Sequence, residues 1–91
     1  MHYVYLLESI KNPSQRYVGL TTQKVESRLI EHNTGKSIHT NKYKPWKCVV
    51  SIKFSDKEKA EKFEVYLKQG SGHAFAKKHF WGLPILANCR K

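Results

Sequence analysis

The chain has 91 residues, of which 40% are hydrophobic and 12% aromatic, and this predicts one folded domain over residues 1–91, with no length for a second core and no general disorder. Seventeen Lys and Arg against seven Asp and Glu give a net charge of +10, which favours a polyanionic partner such as nucleic acid. No apolar run approaches the ~20 residues of a membrane span, and the N-terminus lacks the features of a signal peptide, so we expect no membrane partner and a cytoplasmic location.

The first third of the chain predicts a β-hairpin. The segments HYVYLLES (2–9) and RYVGLT (16–21) are rich in β-branched, aromatic and leucine residues, as is typical of strands. Between them lies IKNPSQ, whose residues favour a turn. We therefore expect two antiparallel strands joined by a short loop.

A helix is predicted over about 23–33, where the apolar period changes. Val25, Leu29 and Ile30 fall on one helical face, and Asn33 with Gly35 provides a stop. The following segment, TGKSIHTNKYKPWK (34–47), contains four lysines and no clear period. It is predicted to be a basic loop.

The second half predicts one strand and two helices. CVVSIKFS (48–55) alternates like a strand with one face buried, and Ser55 with Glu58 fits a capping box at the start of a helix that Gly70 ends. SGHAFAKKHFW (71–81) predicts a further helix, with Ser71 as a cap and Phe75 and Phe80 as packing residues, and the tail 82–91 is apolar enough to dock. The predicted fold class is a small α/β domain with a three-stranded antiparallel sheet flanked by helices, in the order β-β-α-β-α-α.

Several polar residues occupy positions that suggest chemistry. Arg28 and His32 are four residues apart and share one side of the first helix. Glu64 lies next to the apolar stripe of the second helix, where a charged carboxylate is costly without a partner. The partner is either an arginine or metal ion of a functional site, or Arg28 or Lys68 in a purely structural ion pair. Tyr5 and Tyr17 lie on the two hairpin strands. Together these residue types suit a metal-assisted phosphodiesterase.

With this pattern the chain resembles the GIY-YIG nuclease superfamily. The two signature strands correspond to Tyr3-Val4-Tyr5, which lacks the usual glycine, and Tyr17-Val18-Gly19. Arg28 and His32 match the helix-one positions of the family, and Glu64 in AEKFEVYLK matches its metal-binding helix. The resemblance covers about 2–80 and is closest to small single-domain relatives of the nuclease domain of the bacterial excision-repair incision subunit.

The resemblance implies a metal-dependent endonuclease that hydrolyses DNA, single-stranded or branched, with a role in DNA repair. It implies one Mg²⁺, replaceable by Mn²⁺, held by Glu64 with waters, and no small-molecule cofactor. Arg28 would pair with the scissile phosphate, and Tyr5 and His32 would orient the phosphate or the water. Tyr17 is the first candidate for the general base, with His32 as its rival because an ordinary histidine titrates near neutrality.

Two further expectations concern residues outside this set. Many relatives carry an asparagine about a dozen residues after the glutamate, and here Ser71 or His73 would take its role, or the site would function without it. A strand-tracking surface of basic and aromatic side chains is also predicted, and it comprises Lys36, Lys42, Tyr43, Lys44, Trp46 and Lys68.

A different class of function is compatible with the same composition. A nucleic-acid-binding protein without catalysis would use the basic fold alone, and it would have no use for a carboxylate that faces phosphate. A basic RNA-associated structural protein would not need Tyr17, Arg28 and Glu64 to be grouped at all. Removal of Glu64 separates cutting from binding, because a binder would lose nothing by it.

Overall fold

The computed structural model describes residues 1–36 and 38–81. Three strands and four helices follow one another in the order β1 (His2–Ser9), β2 (Arg16–Thr21), α1 (Val25–Asn33), α2 (Ile38–Asn41), β3 (Trp46–Phe54), α3 (Lys57–Leu67) and α4 (Gly70–His79). This confirms the predicted α/β class and the order β-β-α-β-α-α, with the addition of the four-residue α2 inside the predicted basic loop.

The sheet has the strand order β2-β1-β3, and both pairs are antiparallel. The central strand β1 contains four consecutive buried residues, Val4 to Leu7. A continuous buried run is expected when both faces of a strand are covered, because successive side chains point to opposite faces. The β2 strand forms one edge of this sheet, and its outer side is where the candidate site lies.

Helices cover both faces of the sheet. Val4 and Leu6 pack with Ala60 and Leu67 of α3 and with Ala76 of α4. The side chains of Tyr5 and Leu7 point to the opposite face of the sheet, where they form a second cluster with Val25 and Leu29 of α1. The domain therefore has three layers, and the alternation of β1 decides which residues face α1.

Two helix starts differ from the prediction. Helix α1 begins at Val25, and Ile30, expected on its packing face, is 62% exposed while Val25 and Leu29 pack. Helix α3 is capped by Asp56, whose carboxylate accepts a hydrogen bond from the backbone N–H of Glu58 at 2.9 Å. The predicted Ser55 capping box is therefore wrong, because the carboxylate one residue later satisfies the free amide.

The junction between α3 and α4 is tighter than predicted. Helix α3 ends at Leu67, and Gly70, which has φ of +41°, begins α4 after Gln69 in the N-cap position, so Ser71 is not the cap. A Cβ at Gly72 would overlap the backbone carbonyl of Tyr66. The glycine therefore allows α4 to approach the end of α3.

The segment between α1 and β3 is held by side-chain to backbone hydrogen bonds. Asn33 accepts from the backbone N–H of Trp46 at 2.5 Å and donates to its carbonyl at 3.1 Å. The Trp46 indole N–H donates to the backbone carbonyl of Thr40 at 2.8 Å. These contacts tie the end of α1 and the short α2 to the start of β3.

No helix within residues 1–36 and 38–81 is long and apolar enough to cross a membrane. The tail 82–91, for which docking was predicted, lies outside the described residues, as does Asn88.

Candidate active site

The two signature strands bring a pair of tyrosines together across a glycine. In the β1–β2 register Tyr5 lies opposite Gly19, and the ring centroids of Tyr5 and Tyr17 are 6.1 Å apart. A Cβ at Gly19 would stand 2.5 Å from the Tyr5 hydroxyl oxygen and 2.8 Å from the Tyr17 ring. Glycine is therefore needed at this position because the Tyr5 ring lies directly over the backbone.

His32 joins this pair from α1. Its ring centroid is 5.0 Å from that of Tyr17 and 5.8 Å from that of Tyr5. The Tyr5 hydroxyl lies 2.9 Å from Nε2 of His32, and Nδ1 lies 2.7 Å from the hydroxyl of Thr40 on α2. Tyr5, His32 and Thr40 are each 1% exposed or less, so both imidazole nitrogens are occupied inside the core.

Burial decides the protonation of this network. Burial, together with the charge of Arg28, lowers the pKa of His32, so the imidazole is neutral. Burial raises the pKa of Tyr5 to about 12, so its hydroxyl keeps its proton. The charge of Arg28 acts on the Tyr5 oxygen, so this oxygen is the acceptor toward Arg28 and its O–H donates to Nε2 of His32. Nδ1–H of His32 then donates to the hydroxyl of Thr40. Sequence reasoning missed Thr40, since nothing in its aperiodic segment marks it.

Arg28 stands at the rim of this network, with its side chain 27% exposed. Burial opposes its charge, but the Tyr5 hydroxyl and the Glu31 carboxylate outweigh this effect and raise the pKa of the guanidinium. The Arg28–Glu31 ion pair is short and spans one helical turn. Glu31 was not predicted, although its i,i+3 spacing from Arg28 is a signal that the sequence carries.

Glu64 lies on α3, on the other side of the β2 edge. Its carboxylate is 17% exposed and forms an ion pair with Lys68 at 2.5 Å. Of the partners considered from sequence, the structure therefore pairs Glu64 with Lys68, while Arg28 pairs with Glu31.

Two surface cavities along the β2 edge bracket Glu64. One contains Glu61, one turn before Glu64, together with Arg28 and the end of β2 at Thr21. The other contains Lys68, one turn after Glu64, together with Tyr17. Glu64 itself lines neither cavity, but α3, which packs against β1 and β2, places it between Glu61 of the first cavity and Lys68 of the second.

A divalent metal ion would have few protein ligands here. Among the described residues, no three His, Cys, Asp or Glu side chains are close enough to form a metal cluster. A single, partly exposed carboxylate suits Mg²⁺, which keeps most of its water shell in proteins. The donor chemistry of Glu64 thus fits a Mg²⁺ ion held by one carboxylate and waters.

The predicted strand-tracking surface is only partly compatible with the structure. Lys36, Lys42 and Lys44 are exposed, and the Lys42 ammonium lies 5.4 Å from the centre of the half-buried Tyr43 ring. Trp46 is 4% exposed and packs with Tyr5 and Leu7. The prediction that Trp46 stacks on bases is therefore wrong, because its indole closes the core beneath α2.

The two candidates for the role of the family's asparagine separate in the structure. Both Ser71 and His73 are exposed in the first turn of α4. His73 lines the cavity that contains Tyr17 and Lys68, and Ser71 does not.

Comparison with protein-family models matches residues 1–78 to the model described as the GIY-YIG catalytic domain. No curated protein sequence matches the chain significantly.

Proposed function

The chain belongs to the GIY-YIG catalytic domain family, whose members are nucleases acting on nucleic acid, and we propose that it is a divalent-metal-dependent endonuclease that hydrolyses phosphodiester bonds of single-stranded or branched DNA. The observation that carries this proposal is the arrangement along the β2 edge. Tyr17 and Lys68 share one cavity, Arg28 and Glu61 share the next, and Glu64 lies on α3 between Glu61 and Lys68.

Arg28 is the residue that binds the scissile phosphate in this proposal. Its guanidinium is charged, partly exposed and held in place by Glu31 and Tyr5. A planar guanidinium donates two parallel hydrogen bonds to a phosphate, and these bonds strengthen as negative charge builds up in the transition state. A lysine would supply charge without that geometry.

We assign to Tyr17 the role of activating the attacking water. This side chain is half-buried and lines a cavity that opens to solvent, whereas His32 is fully buried with both nitrogens occupied. As the water oxygen bonds to phosphorus and the P–O bond to the leaving oxygen breaks, Tyr17 acts as the general base and its side-chain oxygen accepts the water proton. His32 and Tyr5 then position Arg28 and Tyr17 and do not contact the phosphate.

Glu64 would hold the metal ion, Mg²⁺ or Mn²⁺. When bound, the ion neutralises charge on the reacting phosphate and on the leaving oxygen. The Lys68 ammonium that pairs with Glu64 must move away from the carboxylate as the ion binds, and it is then free to meet a phosphate.

The test is a cleavage panel of end-labelled single-stranded, duplex and branched DNA, and of matched RNA, with Mg²⁺, Mn²⁺ or chelator. We expect the wild-type protein to cut DNA with either metal and to be inactive in chelator. Glu64→Gln should abolish cutting while binding stays equal or becomes tighter, because a negative charge facing phosphate has been removed. Glu58→Gln, at an exposed position in the first turn of α3 and outside both cavities, is the matched control and should still cut.

A binding protein without catalysis gives a different result in the same panel. No substrate would be cut under any condition, and Glu64→Gln and Glu58→Gln would bind DNA equally. That outcome would contradict the proposed nuclease activity.

Three narrower expectations stay predictions. They are the relationship to the excision-repair incision subunit with its implied role in DNA repair, the cytoplasmic location, and the extent of the domain over 1–91. The family match supports none of them directly, since it describes the superfamily and ends at residue 78.

A further inference from the structure

Arg16, the first residue of β2, has a charged side chain with an unused donor. Its guanidinium carbon lies 5.1 Å from the centre of the Trp81 ring. Its Nε is buried, and among the described residues it has no hydrogen-bond partner. A buried donor on a charged group is costly to leave unpaired. Because Nε is closed to solvent, a ligand in the cavity that Arg16 lines can be reached only by the terminal N–H groups of the guanidinium.

The obvious carboxylate does not neutralise Arg16. Glu8 is its partner in the β1–β2 register, but the ion pair of Glu8 is with Lys47, at 3.7 Å. The Trp81 ring, 5% exposed, instead supports the guanidinium through a cation–π contact. This contact holds the Arg16 charge near the surface without cancelling it.

The cavity at Arg16 has the composition of an anion site. Lys68 and His73 line it together with Arg16, and Tyr17, Val18, Leu67 and Trp81 supply the remaining walls. No Asp or Glu is among these residues, and the carboxylate that pairs with Lys68, Glu64, lies outside the lining. A concave surface with converging basic groups and an aromatic wall suits the phosphate of a nucleic-acid strand.

This cavity cannot share one phosphate with Arg28. A strand rises about 3.3 Å per residue, so Arg16 and Thr21, at opposite ends of β2, are roughly 16 Å apart. Arg28 lines the cavity at the Thr21 end, and Arg16 and Lys68 line the cavity at the other end. Tyr17 also lines this second cavity, but its ring centroid lies 5.0 Å from that of His32 on α1, so it lies between the two ends. A strand held at both ends of β2 must therefore place two different phosphates there.

We propose that the Arg16 cavity binds a second, uncleaved phosphodiester of the substrate strand, on the Tyr17 side of the reacting bond. The terminal N–H groups of Arg16 donate to its oxygens, and Lys68 and His73 complete the cradle. The proposal rests on the proposed nuclease function for its orientation along β2, but its test does not require cleavage.

The experiment measures binding of a single-stranded oligonucleotide in chelator, in the Glu64→Gln background, over a range of salt. We expect Arg16→Gln to weaken binding by roughly tenfold, as for the loss of one hydrogen bond to a charged group, and to reduce the salt slope by about one. Arg16→Lys should recover the salt slope without recovering the full affinity, because lysine keeps the charge but lacks the planar pair of terminal N–H donors. Lys53→Gln, an exposed cation on β3 at the opposite sheet edge, is the control for loss of one charge.

A methylphosphonate scan locates the phosphate. Each phosphate is replaced in turn by the uncharged analogue. At one position the replacement should weaken binding to the protein that keeps Arg16 but should not weaken binding to Arg16→Gln any further, which is the behaviour of two groups in direct contact. Equal effects of Arg16→Gln and Lys53→Gln, or no such position, would overturn the proposal. If Arg16→Gln does not fold, the Arg16 Nε–H resonance decides in its place, since it must shift on titration of the Glu64→Gln protein with oligonucleotide.

The two hypotheses fail separately. Cleavage by the wild-type protein without any Arg16 coupling removes this second phosphate site and leaves the nuclease assignment. Arg16 coupling in a protein that cuts nothing keeps the phosphate site and removes the nuclease assignment.

Discussion

Arg28 forms an ion pair with Glu31, and the nearby Tyr5 hydroxyl helps to raise the pKa of its guanidinium. Such support fixes the plane of the guanidinium before the substrate arrives, and preorganised donors cost little reorganisation during the reaction. The value of the residue then depends on its geometry as well as its charge.

Arg28→Lys tests this geometry. We expect the single-turnover cleavage rate to fall roughly 100- to 1,000-fold, as for the loss of one preorganised electrostatic contact, while the Kd for DNA changes little because the charge remains. Lys53→Arg, the reverse exchange at an exposed position of β3, should leave both values near those of the wild type. Near wild-type cleavage by Arg28→Lys would contradict the assignment.

His32 makes stability depend on pH. Burial and the charge of Arg28 lower its pKa in the folded state, so the unfolded chain binds a proton at a higher pH than the folded chain. The stabilisation is fully present above the ordinary histidine pKa of about 6.5 and is lost as the pH falls from there toward the lower folded-state value. Between about pH 7.5 and pH 5, the free energy of unfolding should fall more for the wild type than for His32→Gln. Equal declines in urea unfolding would contradict this prediction.

The same variant reports on the role of His32 in cleavage. A positioning role predicts a lower rate for His32→Gln with an unchanged shape of the pH–rate profile. A base role predicts the loss of the limb near the histidine pKa. The burial of the imidazole, at 0% exposure, favours the first outcome.

At the scale of elements, the site depends on how α3 crosses the β2 edge. Lys68, at the end of α3, and His73 of α4 line the same cavity as Tyr17. The close contact of Gly72 with Tyr66 determines how closely α4 approaches the end of α3. Packing of α3 against α4 therefore contributes to the site as well as to stability.

Gly72→Ala should disturb this approach. The added Cβ meets the backbone carbonyl of Tyr66, which cannot rotate away as a side chain can, so we expect a loss of roughly 1–3 kcal/mol or more of unfolding free energy. Ser71→Ala, at the exposed preceding position, is the matched control and should stay near wild type. Thermal and urea unfolding measure both, and equal stability of the two variants would contradict the proposed close approach.

At the scale of the whole molecule, the net charge of +10 sets how the protein meets its substrate. Positive charge on a small domain raises the rate of encounter with a polyanion and makes binding depend on released counterions. The exposed lysines of the segment after α1 add to this attraction without specifying a sequence.

Binding should therefore weaken steeply with salt. If about six phosphates are neutralised, the plot of log K against log salt concentration should have a slope of about −4 to −5. Titrations of labelled DNA with the Glu64→Gln protein in chelator measure this slope without interference from cleavage. A slope near −1 would mean that the charge is not used to bind the backbone.

Local sequence patterns determined most of the secondary structure. The β-branched and aromatic composition of β1 and β2 and the helical spacing of Val25 and Leu29 depend on neighbours in the chain, so they are visible without a structure. The motif residues Tyr5, Tyr17, Arg28, His32 and Glu64 could likewise be chosen from the sequence. The sequence patterns did not determine the helix boundaries, because the choice of Asp56 over Ser55 as the cap of α3 depends on one hydrogen bond.

Tertiary structure alone decided which of these groups can meet a substrate. Periodicity shows that a face is apolar but not which element covers it, so the burial of Trp46 and of the Tyr5–His32–Thr40 network followed only from the packing of α1 and α2. The cavity of Arg16, Lys68 and His73 joins residues up to 57 positions apart in the chain, and no local pattern encodes that distance. The physical reason is that exposure and hydrogen-bond satisfaction are properties of the folded neighbourhood.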